Sequence, residues 1–226
     1  MEIWLKPAET LSVYTVLDIY DPGNPSRFRL RQYRDGLIVS RDQRVAEGRL
    51  KRVKIDLDHG LQRGGLTLVT ITSGDKGTSL FLDGVLKQVY PNLRFTPGDL
   101  SGRIVLGTAT IDFEPWSGEI HGLAIYSKEL THGEVLANFL NWTQANPSVT
   151  SDSTQCIARY QFNERSGREI HNQVKEGREM EIPPNFQVPS KAFLQLPWDE
   201  FEWSRSYLDD VLRNIAGFVP FGFVVS

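Results

Sequence analysis

The chain has 226 residues, 40% of them hydrophobic and 23% charged, with a formal net charge of −3. That balance excludes a disordered or fibrous protein and suits one large sandwich or barrel, or one domain with a substantial tail. It also argues against a nucleic-acid module, whose affinity needs a dominant cation excess, while the single cysteine, Cys156, excludes an intrachain disulfide.

Up to about Tyr126 the pattern is short β-type runs between turn residues, without helical periodicity. Strands are predicted at Tyr14–Tyr20, Arg27–Tyr33, Gly36–Ser40, Val53–Leu57, Leu66–Thr72, Thr78–Leu82, Val85–Tyr90, Arg103–Leu106 and Glu119–Tyr126. This spacing favours a sandwich or jelly roll. Asp83-Gly84 between Ser79-Leu80-Phe81-Leu82 and Val85-Leu86 is the strongest hairpin signal. One helix follows: Thr131 and Glu134 stand at capping-box spacing, Val135, Leu136, Phe139 and Leu140 form a stripe, and the end falls near Trp142. Residues 145–154 are Ser/Thr/Asn/Pro-rich and read as a linker, after which Ile157-Ala158-Arg159-Tyr160-Gln161-Phe162 alternates like a strand. From Ile182 to Glu202, four prolines interleaved with aromatic residues predict an extended segment lying along the domain surface. No apolar run is long enough to cross a membrane, and the start lacks the basic and apolar regions of a signal peptide, so the visible chain reads as soluble. It opens in a strand and closes on Phe218-Val219-Pro220-Phe221-Gly222-Phe223-Val224-Val225, so both ends read as cut.

Four motifs in order resemble the second half of a laminin-G-like domain: Thr78-Ser79-Leu80-Phe81-Leu82-Asp83-Gly84, Gly102-Arg103-Ile104-Val105-Leu106-Gly107, Trp116-Ser117-Gly118-Glu119-Ile120-His121-Gly122-Leu123-Ala124-Ile125-Tyr126 and Leu130-Thr131-His132-Gly133-Glu134-Val135. With Ile3-Trp4-Leu5-Lys6-Pro7 as an early strand, the resemblance covers roughly residues 3–140 and implies the concanavalin A-like lectin fold. Tyr160-Gln161-Phe162-Asn163-Glu164-Arg165-Ser166-Gly167 resembles the strand that usually opens such domains, yet here it follows the domain. Two readings stand: residues 157–162 return to the sandwich as a permuted first strand, or they open a second, truncated copy. At the C-terminus, Tyr207-Leu208-Asp209-Asp210-Val211-Leu212-Arg213-Asn214-Ile215-Ala216-Gly217-Phe218-Val219-Pro220-Phe221-Gly222-Phe223 is similar to the start of VanZ-like membrane proteins, which implies a continuation into membrane spans. Leu208, Val211, Leu212 and Ile215 equally fit an amphipathic helix packed on its own domain. The expected organisation is a sandwich over 1–167, an extended wrap over 168–205 and a membrane-leading segment over 206–226.

The lectin fold also hosts glycoside hydrolases, which need two carboxylates about 5 to 9 Å apart. Thr110-Ile111-Asp112-Phe113-Glu114 resembles the catalytic strand of laminarinase- and lichenase-type enzymes, whose alternation aims three carboxylates at one face. The first carboxylate, the nucleophile, is replaced here by Thr110, and a hydroxyl without an adjacent base cannot serve a retaining mechanism. The four histidines are scattered, without shared ligand spacing. Calcium, bound in laminin-G-like domains by an Asp and rim carbonyls, is a possible cofactor that the resemblance allows, with no residue assigned. Residues 27–54 carry ten Lys/Arg against three acids, a local +7 balanced by −10 elsewhere. Period two places Arg27, Arg29, Arg31 and Tyr33 on one strand face, opposite Phe28 and Leu30, so a basic, solvent-facing ribbon is expected. Such a ribbon suits an anionic glycan or lipid headgroup, or is a solvated face paired with carboxylates. Trp116, near Asp112 and Glu114, either stacks on a sugar ring or belongs to the rim or core. Asn141-Trp142-Thr143 matches a glycosylation acceptor at the predicted helix end.

The expectation is therefore an all-β concanavalin A-like antiparallel sandwich with one short helix. Its function is expected to be non-catalytic recognition of a cell-envelope carbohydrate or protein, on the extracytoplasmic side of a bacterial membrane protein. Candidate ligand-binding residues are Arg29, Arg31, Tyr33, Asp112, Glu114 and Trp116; no catalytic or metal residue is assigned. The alternatives are a glycoside hydrolase of the same fold and a structural module packing on its own membrane domain.

Overall fold

The computed structural model describes residues 1–21, 24–44, 50–108, 115–143, 155–174 and 177–184, with backbone alone at 24–27, 43, 44 and 50. Thr110, Asp112, Glu114 and the segment 185–226, with the expectations placed on them, lie outside the described residues. A first compact unit runs from Met1 to Pro183.

Within it the chain forms β1 (Glu2–Pro7), β2 (Val13–Asp21), β3 (Asn24–Tyr33), β4 (Gly36–Arg44), β5 (Leu50–Leu57), β6 (Thr67–Gly74), β7 (Gly77–Leu82), β8 (Val85–Tyr90), β9 (Arg103–Leu106), β10 (Gly118–Tyr126), α1 (His132–Trp142), β11 (Cys156–Tyr160), β12 (Glu169–Ile170) and β13 (Met180–Glu181). Two large sheets result, one ordered β11-β10-β1-β6-β7-β8 and the other β5-β4-β3-β2-β9. Neighbouring strands in both sheets pair antiparallel. The expected fold class is what the chain adopts.

Side-chain alternation decides which face each strand buries. Ile3 and Leu5 of β1, Val69 and Ile71 of β6, Leu80 and Leu82 of β7, and Leu123 and Ile125 of β10 meet Leu17, Ile19, Phe28, Leu30, Leu37, Val39 and Ile55 of the other sheet in one core. Each fully buried aliphatic side chain stabilises by about 2 kcal/mol. Exposed ion pairs such as Lys6–Glu119 and Arg94–Asp75 contribute at most about 1 kcal/mol each, so the interior sets the fold. The Asp83-Gly84 turn has φ of 51° and 77°, two successive left-handed residues as a type I′ hairpin demands.

A third layer lies on the outward face of the six-stranded sheet. Glu2 and Trp4 point away from the inter-sheet core, and α1 covers them together with Leu68, Phe81 and Ala124. The helix starts at the expected cap, with the Thr131 amide donating to Glu134 Oε2 at 2.8 Å and the Glu134 amide donating to Thr131 Oγ1 at 3.3 Å. Its buried face differs from the expected stripe. Val135, Asn138, Asn141 and Trp142 are buried, while Leu136 and Leu140 are exposed.

β11 runs antiparallel to β10, with Leu123 opposite Tyr160 and Ala124 opposite Arg159, and so forms the outer strand of the six-stranded sheet. It ends two residues short of the predicted strand, because Phe162 has φ 49°. Beyond it, β12 and β13 pair with each other, and Ile170 and Met180 rest against the main core.

Candidate functional site

Arg29 and Arg31, singled out in the sequence, alternate with the core residues Phe28 and Leu30 and so stand on the outward face of the five-stranded sheet. Register places Asp18 of β2 opposite Arg29 of β3, which in turn lies opposite Ser40 of β4. Arg29 is 3% exposed, its Nε 3.6 Å from Asp18 Oδ1 and an Nη 3.8 Å from Asp42 Oδ2. This differs from the expected solvent-facing position: two carboxylates offset the guanidinium, which makes its burial tolerable. Asp42 also accepts from Arg52 Nε at 2.8 Å, and Arg41 donates to Asp99 at 2.9 Å. Arg29, Arg41 and Arg52 are thus each matched by a carboxylate within the fold. Arg31 is half-buried one row away, and Tyr33 is exposed at the end of β3 with the Arg34 guanidinium 5.8 Å from its ring centre.

Trp116 is a core residue. It is 9% exposed, and its indole donates to Gln32 Oε1 at 2.7 Å, while Gln32 donates to the carbonyls of Glu9 and Arg34. It packs in the inter-sheet core and does not line the cleft described below. Asn141 is likewise buried inside α1, which withholds it from glycosylation.

The outward face of the six-stranded sheet carries a cleft of about 410 Å³ lined by Trp4, Leu66, His121, Trp142, Thr143, Gln161 and Asn163. Its floor is the two indoles, packed edge to face with centres 6.0 Å apart and planes at 78°. Gly122 makes this possible, because a Cβ there would fall 2.6 Å from the Trp142 ring. Glu2, fully buried, accepts from Trp142 Nε1 at 3.0 Å, Tyr126 Oη at 2.8 Å and Asn138 Nδ2 at 2.8 Å. Burial, then the adjacent Glu2 charge, pushes the Tyr126 phenol far above its ordinary range, so it stays a donor. The Arg159 guanidinium sits 4.3 Å from the centre of the Trp142 ring, a cation–π contact. Trp142 is therefore gripped at its N–H and across its ring before any ligand arrives.

The rim is polar. Asn163 Nδ2 donates to Gln161 Oε1 at 3.3 Å, and His121 Nε2 lies 3.1 Å from Glu119 Oε2. Lys6, at 2.9 Å, is the main reason the Glu119 carboxyl titrates below its usual range, with His121 adding to it. No carboxylate lines the cleft itself. Among the described residues no three His, Cys, Asp or Glu side chains converge as metal ligands, and no helix is long and apolar enough to cross a membrane.

Sequence reasoning missed this cleft because its residues come from five separated segments. The traces it left were Gly122, within a strand otherwise rich in large residues, and two tryptophans at positions that period two and helical spacing aim away from the main core.

Across residues 1–136 the chain matches the laminin-G-type family described as the concanavalin A-like lectin/glucanases superfamily. The chain belongs to that superfamily. Among solved structures, this lectin-like sandwich is similar to a candidate carbohydrate-binding protein of Bacteroides ovatus, with 17% identity, TM-score 0.51, 79% of this chain covered and 49% of that one. The chain thus spans about half the length of that protein. It is also similar to the CBM40 module of the Ruminococcus gnavus IT-sialidase, solved with α2,3-sialyllactose, with 19% identity, TM-score 0.44, 60% of this chain and 79% of that one covered. A pentraxin of Limulus polyphemus gives 17% identity, TM-score 0.44, and coverage of 60% and 66%. No curated protein sequence matches the chain.

Proposed function

We propose that this lectin-fold sandwich is a non-catalytic recognition domain that binds a saccharide of the bacterial cell envelope in the cleft floored by Trp4 and Trp142. The observation that carries the reading is the cleft itself, where the buried indoles of Trp4 and Trp142 and the exposed Leu66 meet amide, imidazole and hydroxyl side chains, a mixed apolar and polar lining that suits a small polar ligand such as a saccharide. Membership of the lectin/glucanases superfamily supports it at the level of fold. Catalysis is disfavoured because the described buried carboxylates are engaged: Asp18 and Asp42 flank Arg29, Asp99 pairs with Arg41, and Glu2 accepts three donors under α1. An acid and base pair needs one carboxyl that holds a proton and another that shares access to the same bond.

The domain is placed on the extracytoplasmic side of a membrane protein, with residues 206–226 leading into a VanZ-like unit. The likeness of that segment's sequence to such proteins supports this placement. Affinity electrophoresis of the 226-residue chain through gels containing cell-envelope polysaccharides tests the binding reading. Retardation by at least one saccharide is expected, and Leu66→Arg, a change at an exposed cleft residue, abolishes it. Retardation by none, or release of reducing ends above the blank, overturns the reading. Protease treatment of intact cells checks the placement: digestion of the sandwich supports it, and protection until the membrane is opened rejects it.

A further inference from the structure

Unmatched hydrogen-bonding groups beside the cleft select among sugars, and this selection rests on the saccharide reading above. On the outward face of the six-stranded sheet, four buried polar side-chain atoms make no hydrogen bond among the described residues: Trp4 Nε1, Thr70 Oγ1, and Nε and Nη2 of Arg159. A threonine hydroxyl donates or accepts, whereas an indole and a guanidinium only donate. The surplus is therefore of donors. Trp4 and Trp142 line the cleft, and the Arg159 guanidinium sits 4.3 Å from the centre of the Trp142 ring. Its two unmatched nitrogens carry the parallel N–H groups along one edge of the guanidinium, the fork that an oxyanion accepts bidentately. Arg159 is 4% exposed, and a buried cation calls for an anion.

The described residues do not supply that anion. Register sets Arg159 opposite Ala124 and Ala124 opposite Glu2, two strand spacings that hold the Cα atoms of Arg159 and Glu2 roughly 10 Å apart. Glu2 lowers the local charge but leaves the fork unmatched, because its two oxygens already accept from Trp142, Tyr126 and Asn138. Burial pushes both the Cys156 thiol and the Tyr126 phenol up, so neither is a second anion at neutral pH. At the rim, Lys6 and His121 flank Glu119 at 2.9 and 3.1 Å, so no uncompensated carboxylate stands there to repel an acid. Since no hydrogen bond or ion pair among the described residues ties the guanidinium down, rotation about its own side-chain bonds can turn the fork toward the cleft. We infer that the cleft beside Trp142 recognises an acidic saccharide, whose carboxylate or phosphate oxygens accept from Nε and Nη2 of Arg159.

Saturation-transfer NMR on the 226-residue chain, with glucuronic acid, its methyl ester, glucose 6-phosphate and glucose as probes, tests this. Glucuronic acid, glucose 6-phosphate or both should bind about tenfold more tightly than glucose, and the uncharged ester no more tightly than glucose. Whichever acid leads separates a carboxylate ligand from a phosphate one. Arg159→Met should bring the ratio of acid to glucose binding close to one, while Arg159→Lys, which keeps the charge and loses the fork, retains part of it. A purely structural Arg159 would weaken charged and neutral probes alike, so an unchanged ratio in Arg159→Met overturns the inference. Should Arg159→Met not fold, Leu66→Glu and Leu66→Gln decide, since Leu66 is 44% exposed at the cleft and both changes leave the melting temperature alone. Leu66→Glu should bind the acid about threefold more weakly than Leu66→Gln, with glucose bound equally by the two; equal affinity for the acid overturns the inference. Equal binding of all four probes, lost in Leu66→Arg, overturns the preference for an acid and leaves the saccharide reading standing. Absence of binding by all four also overturns it, and the polysaccharide gels then decide whether the broader reading survives.

Discussion

Glu2 shows how much one side chain organises. It stands on the outward side of β1, fully buried, where three donors from β10 and α1 converge on its two oxygens. Glu2→Ala leaves the Trp142 and Asn138 N–H groups and the Tyr126 hydroxyl to compete for what remains, and each buried group without a partner costs about 1–3 kcal/mol. A loss of about 3 kcal/mol is expected in urea unfolding. Glu2→Gln should recover part of it, since an amide oxygen still accepts while its NH2 faces donors; equal stability of Glu2→Ala and the parent would remove Glu2 from this role. None of this was legible beforehand: a glutamate at position 2 looks like an exposed terminal residue until α1 is known to return over it. Arg29 teaches the same lesson. Alternation correctly set it opposite Phe28 and Leu30, but the register that brings Asp18 beside it depends on a strand pairing the sequence does not print. Trp116 needed Gln32, 84 residues away, to be recognised as a core anchor.

At the scale of elements, α1 was legible in its bounds and illegible in its face. Thr131 and Glu134 form a local capping device, so their spacing suffices to locate the start. The buried stripe depends on which sheet the helix meets; it meets one already floored by Trp4, Leu68 and Ala124, so Asn138 and Trp142 turn inward and Leu136 and Leu140 stay outside. The cap also carries a pH dependence. Lys128 at 2.5 Å, then the Thr131 amide and hydroxyl, hold the Glu134 carboxyl at about 2 against an ordinary 4.5. Because the folded value is the lower one, the stabilisation is fully present above about pH 4.5 and is lost as pH falls from there through about 2. The melting temperature should therefore fall more steeply across pH 4.5 to 2 in the parent than in Glu134→Gln, followed by circular dichroism. Parallel curves would show that the cap contributes nothing through its charge. Thr131→Ala, which keeps the charge and removes the hydroxyl, should cost about 1 kcal/mol at neutral pH.

For the whole molecule, the question is where the folding unit ends. The superfamily match stops at residue 136, and the ordered motifs that made the sandwich legible end close by, yet the six-stranded sheet draws its outer strand from Cys156–Tyr160. That strand seals the backbone edge of β10, sends Tyr160 into the inter-sheet core at 4% exposure, and lays Arg159 against Trp142. Ending the chain at Thr143 would remove all three, leaving an unpaired edge of the kind that invites association between molecules. Losing one large buried aromatic ring costs about 3–5 kcal/mol, a sizeable part of an ordinary domain's stability. A chain of residues 1–143 should therefore unfold at a clearly lower urea concentration than one of residues 1–183, and should form concentration-dependent aggregates by light scattering. The longer chain also keeps Gln161 and Asn163, so it should retain saccharide binding that the shorter one loses. Coincident urea midpoints for the two would mean that β11 is an ornament on a sandwich complete without it, and would detach residues 156–163 from both the fold and the cleft.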